Sequence, residues 1–237
     1  AVARDQPAEQ REAEGRGDSS VVSQLLYPAS IAAMLSGDHA AAARLLALAP
    51  EAPGARGITF AHWGALTAKT TLLRFQGDAP AALAHAREVF ALLTRSPLFR
   101  VSFVRTASLF ERGLSALSAH DTGAGDAELA VAATMARRLG GERTLYARAL
   151  RQHLLAGVAA ARGRRESAAA HLAAAVAQLD AAGMRYLAAC ARHRLGAVVG
   201  GAEGAAALRG AQAYFEAEGI PAAACVTVSA PGFGAAP

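Results

Sequence analysis

From Ser20 onward, apolar residues recur at three- and four-residue steps over long segments, the spacing that gathers them on one face of an α-helix. The segments come in couples. Each couple is a long amphipathic stretch, a short break at Gly followed by a helix-starting residue, a second Ala-rich stretch, and a Pro or Gly stop. The breaks are Gly37-Asp38, Gly77-Asp78, His120 to Asp126, Gly163 to Glu166, and Gly200 to Glu203. Gly permits the left-handed close of one helix, and Asp accepts hydrogen bonds from the free amides that open the next. The pattern predicts an all-α chain, an α-solenoid of about five antiparallel helical hairpins.

The acidic starters Asp38, Asp78, Asp126, Glu166 and Glu203 are spaced by 40, 48, 40 and 37 residues. A regular tetratricopeptide (TPR) unit has about 34, so the expected repeats are TPR-like but degenerate. Single positions carry the same internal likeness. Five, nine and twelve residues after the turn Gly stand Ala42, Leu46 and Ala49, then Ala82, Ala86 and Val89, then Ala168, Leu172 and Ala175. Seven residues before it stand Ser30, Thr70 and Ala156. All are small or apolar, as close helix approach requires.

Three domains follow from the pattern. Residues 1–19 lack apolar periodicity and are predicted to be a flexible leader. Residues 20–218 form the TPR-like helical-repeat domain. Residues 219–237 gain Pro and Gly, and are predicted to run extended, laying Ile220, Val226 and Phe233 over the last hairpin. Within the repeats, Pro28 predicts a kink or a restart. Ser96-Pro97 predicts the start of a long helix carrying Phe99, Phe103, Ala107, Phe110, Leu114 and Leu117 on one face.

Composition supports helices: of 237 residues, 53% are apolar but only 5% aromatic, which suits helices packed through small side chains better than a sheet. The net charge of +5 raises a nucleic-acid reading. Its excess lies between residues 121 and 200, with 11 basic and 6 acidic groups, in singlets and pairs such as Arg137-Arg138 and Arg164-Arg165. The lack of a longer basic run argues against a polyanion-binding arm. Two cysteines, Cys190 and Cys225, form no CxxC pair, which predicts a reducing, cytoplasmic setting and leaves a single disulfide open. The polar first 18 residues do not read as a signal peptide, and Ser19 to Gly37 reads as buried helix, not as a membrane span. The opening residue, Ala1, reads as the start of a segment of something longer.

Candidate chemistry is sparse. Seven histidines stand in no HExxH or HxH arrangement; Cys190 and His193 are three apart, but two ligands make a poor zinc site. There is no GxGxxG, GxxxxGK[ST] or GxSxG motif, and His193-Arg194-Leu195 lacks the Asp of a kinase catalytic loop. No catalytic, cofactor-binding or metal residue is assigned. What remains is surface. In a TPR-like superhelix the first helix of each pair lines the inner face, and the alignment aims Tyr27, Thr67, Thr71, Arg74 and His153 toward it. Such a mixed groove suits a peptide or a neighbouring domain, and a spacer without a ligand stays open beside it.

Glu142 to Gly204, with AQAYFEAEGI (211–220) and Ala230-Pro231-Gly232-Phe233, resembles the helical-repeat end of large multidomain bacterial serine/threonine protein kinases, which place a kinase domain and an ATPase-like module before TPR-like repeats. Gly200-Gly201 resembles the turn before that family's last helix, Gly219-Ile220 its exit, and Ala230 to Phe233 its closing motif. Tyr214 stands where the family tends to have Trp, and Ala224-Cys225 where it has Arg-Met. The resemblance implies a non-catalytic scaffold or regulatory segment, contacting another protein or other domains of its parent chain. The alternative is a nucleic-acid-associated helical regulator using Arg137, Arg138, Arg143, Arg148, Arg151, Arg162, Arg164 and Arg165.

Overall fold

A computed structural model describes residues 19–49 and 57–234; the predicted leader, residues 1–19, lies outside them apart from Ser19. Among the described residues there are eleven α-helices and no strand. They are α1 (Ser19–Leu35), α2 (His39–Ala47), α3 (Phe60–Phe75), α4 (Ala79–Thr94), α5 (Ser102–Asp121), α6 (Asp126–Leu139), α7 (Leu145–Ala161), α8 (Arg165–Ala181), α9 (Arg185–Val199), α10 (Gly201–Glu218) and α11 (Ala222–Ser229). A 3₁₀ turn, Pro97–Arg100, precedes α5.

The breaks read from the sequence separate α1 from α2, α3 from α4, α5 from α6, α7 from α8, and α9 from α10. Two of them are near copies. Gly37 and Gly77 sit at φ 85° and 77°, where a side chain would be strained. Each lets the following amide reach back five residues, Asp38 N–H to Ala33 O and Asp78 N–H to Leu73 O. The Asp38 and Asp78 carboxylates then accept the amides of Ala41 and Ala81, at 2.8 and 3.0 Å. One helix is closed and the next opened by the same two residues.

Every helix from α1 to α9 packs on the next, and α1 also meets α3, α3 meets α5, and α5 meets α7. α1, α3, α5 and α7 therefore form a continuous row. Small residues allow close contact: Ser30, Ala42, Ala82, Ala156 and Ala168 are fully buried, and Thr70 almost so. The largest buried cluster joins Leu109, Leu117, Leu139, Leu154, Leu172 and Leu179 across α5 to α8. Between α9 and α10 the contact is backbone to backbone, since a Cβ on Gly196 would lie 2.6 Å from the Gly204 carbonyl oxygen.

Of the kink or restart expected at Pro28, the restart does not occur, since Pro28 lies inside one continuous helix. Two further expectations are corrected. The helix expected to run on from Ser96-Pro97 stops after one turn, so Phe99 is not on the α5 face and Phe103 is half exposed. Arg105 holds that interruption, donating from Nη1 to the carbonyls of Phe99 and Arg100 while its Nε and Nη2 bind Glu142 at 2.5 and 2.8 Å. The tail 219–237, expected to be extended, contains α11. Its Pro221 stands at the N-cap, and burial of Cys225, Val226 and Val228 overrides the weak helix preference of its β-branched residues. This helix packs on α9, α3 and α5. Ile220 and Val226 join the cluster of Ala189, Cys190 and Phe215, whereas Phe233 joins the cluster of α5 to α8.

Candidate functional site: a cavity and a strap on the odd-numbered helices

Tyr27 of α1 and Thr67, Thr71 and Arg74 of α3 line one cavity of about 260 Å³, with residues of α5, α7, α9 and α11 completing its walls. That volume is just below the range of about 300 to 1,000 Å³ usual for ligand pockets. Most of its lining is apolar, including Ile31, Phe103, Phe110, Leu150 and Leu187. Its charged members form an ion pair: Arg74 Nη2 donates to Glu111 Oε2 at 2.7 Å, with the arginine side chain buried and the glutamate partly open. Thr71 Oγ1 lies 3.4 Å from both partners. The buried Arg74 Nε has no partner among the described residues.

Burial pushes the Tyr27 hydroxyl up to about 12, with the Glu111 charge adding to the effect and Arg74 opposing it. It stays neutral. The cavity thus offers apolar walls, the hydroxyl-bearing side chains of Tyr27, Tyr146 and Tyr186, and one nearly self-neutralised charge pair, an arrangement suited to an uncharged guest with a hydrogen-bond acceptor.

His153 of α7 is not on that wall. It is buried against the Phe110 ring, and its Nε2 donates to the Ser229 carbonyl at 2.7 Å. Burial lowers its pKa to about 4, with the Ser229 carbonyl opposing and Arg194 assisting. The ring is neutral, with its proton on Nε2.

His153 is one of several side chains that grip a strap formed by α11 and the residues after it. Arg74 Nη1 donates to Val228 O at 3.5 Å, and Arg194 Nε to Ala230 O at 3.0 Å. Tyr186 Oη and Ser229 Oγ are 2.7 Å apart. Asp121 accepts the Gly232 amide at 2.6 Å and the Gly234 amide at 3.4 Å. Arg194 also lies over the Phe233 ring, 5.0 Å from its centre. Beneath the strap Gly157 and Gly232 touch backbone to backbone; a Cβ on Gly232 would lie 2.6 Å from the Gly157 carbonyl oxygen. Four elements, α3, α5, α7 and α9, hold one peptide chiefly through its main chain.

Sequence reasoning missed Glu111, Asp121, Tyr186 and Arg194. Asp121 carries a signal, since a carboxylate on the last residue of a helix opposes the helix dipole and calls for a donor from elsewhere. The others lie on long helices with no local mark.

The arginines between 121 and 200 do not gather at one point. Arg137, Arg138 and Arg143 lie before the start of α7, and Arg162, Arg164 and Arg165 beyond its end, roughly 25 Å apart at 1.5 Å per residue. Some are already engaged: Arg138 stacks on Phe90 and Phe99, and Arg165 donates to Val198 O. Arg87 and Arg112 bracket Glu128, whose carboxyl burial would raise; their hydrogen bonds and charges outweigh that and hold it below the usual range.

Among the described residues no three His, Cys, Asp or Glu side chains come together as a metal site, and no helix is long and apolar enough to cross a membrane. Cys190 and Cys225 are both free and buried. No family model, curated protein or solved structure matches the chain.

Proposed function

We propose that this chain is a non-catalytic helical-repeat scaffold, a degenerate TPR-like α-solenoid of antiparallel hairpins that binds a protein or another domain of its parent chain on its odd-numbered helices. The observation that carries the reading is the cavity: five successive odd helices, α1 to α9, contribute to one apolar opening, as repeated units do when each presents the same face. The resemblance of residues 142–233 to the repeat ends of bacterial serine/threonine kinases supports a parent of that class, with the segment serving regulation of signalling. Two free buried thiols support a reducing, cytoplasmic setting.

Affinity capture with the full chain tests this. Ala107 lines the cavity, and Ala107→Phe fills it. The native chain is expected to retain a protein partner through moderate salt, and the Ala107→Phe chain to lose it while keeping its far-ultraviolet circular dichroism. Capture abolished by moderate salt contradicts the proposal and favours an electrostatic, polyanion partner. Capture undiminished by Ala107→Phe contradicts it too.

A further inference from the structure

The strap is held as a bound peptide is held. Val228 O, Ser229 O, Ala230 O and the Gly232 amide are each met by a side chain from a different helix, Arg74, His153, Arg194 and Asp121. Such contacts read a main chain and constrain its side chains only through space. The side-chain demands are specific. Position 232 admits only glycine, because its Cβ would enter the Gly157 backbone and its φ is 98°. Position 233 places an aromatic ring beneath a buried arginine. From Val226 to Phe233 the strap carries no charge; of the seat's ions Arg74 is paired with Glu111, and Arg194 and Asp121 meet its main chain. The seat is only partly filled, since the cavity of about 260 Å³ borders Ser229.

We infer that the strap is an intramolecular ligand of a peptide-binding groove, and that the groove's external ligand is a protein segment of the same chemistry: uncharged, built of small residues, and ending in Gly-aromatic where the strap has Gly232-Phe233. Binding of that segment displaces the strap. The inference rests on reading the odd-helix face as an interaction surface and names what that surface recognises and what regulates it.

The test uses the full chain and a fluorescent peptide spanning Ala222 to Gly234. Gly232→Ala in the full chain drives a methyl group into Gly157 and expels its own strap. The peptide is expected to bind the Gly232→Ala chain saturably and at least tenfold more tightly than the native chain, and a peptide carrying Phe233→Glu is expected not to bind. Equal binding to both chains, binding to neither, or equal binding of the two peptides overturns the inference.

Hydrogen exchange on the native chain provides a second readout should Gly232→Ala lose its helical circular dichroism. Amides from Val226 to Gly234 are expected to exchange at least tenfold faster than those in the middle of α5 and α7, through release of the strap alone. Exchange at one common rate means that the strap leaves only when the whole chain unfolds, and overturns the inference. Neither measurement requires a partner protein, so each succeeds or fails separately from the capture experiment.

Discussion

Arg74 joins the two parts of the site, because one guanidinium faces Glu111 across the cavity and touches Val228 O in the strap. Removing it leaves Glu111 beside an apolar opening. Arg74→Ala should cost about 3 kcal/mol in chemical denaturation, at the low end for a broken buried pair because Glu111 keeps some solvent. The double change Arg74→Met with Glu111→Leu should cost less than Arg74→Ala alone, since no stranded charge remains. His153 gives the corresponding pH dependence. Its folded pKa, about 4, lies below the ordinary 6.5, so the unfolded chain takes up the proton first as pH falls. The contribution is complete above about pH 6.5 and is lost progressively toward pH 4, about 3 kcal/mol in all. Denaturation at pH 7.5 and 5.0 should show the native chain losing more stability than His153→Gln. Glu128 and Glu142, held below the usual carboxylate range, add their own losses only under about pH 4.5.

At the scale of elements, the turns carry the most transferable physics. Asp38 and Asp78 each satisfy an amide that the first helical turn leaves free. Asp78→Ala should therefore destabilise the chain by about 1 kcal/mol, read as a lower urea midpoint with unchanged slope. These turns were legible in the sequence because everything that makes them lies within nine residues, Ala33 to Ala41 and Leu73 to Ala81. The buried small positions, Ser30, Ala42, Ala82 and Ala168, were legible for the same reason, through their fixed distance from the turn glycine. The interruption at Val101 was not. It depends on Arg105 and on Glu142, 37 residues further along. The helix α11 was masked by neighbouring Pro and Gly, which read as breakers, while the contacts that favour it come from α3, α5 and α9.

For the molecule as a whole, the strap closes a long loop in sequence: its partners Arg74, Asp121 and His153 lie 154, 111 and 76 residues from the positions they hold. Local periodicity carries no trace of such pairings. Four of the five residues aimed at an inner face, Tyr27, Thr67, Thr71 and Arg74, line one cavity, whereas His153 lies beneath the strap. Distance from the turn glycine does not separate them: Tyr27, Thr67 and His153 each stand ten residues before theirs, yet His153 is covered by the strap while the other two face the cavity. The arginines lie on other parts of the molecule and provide the competing account of what it binds. Hydroxyl-radical footprinting of the chain with its captured partner separates the two most directly. Binding through the cavity is expected to protect Tyr27, Phe103, Tyr146 and Met184, all on its wall. Protection confined to the ends of α7, around Arg137 to Arg143 and Arg162 to Arg165, with the cavity residues oxidised as before, would contradict it.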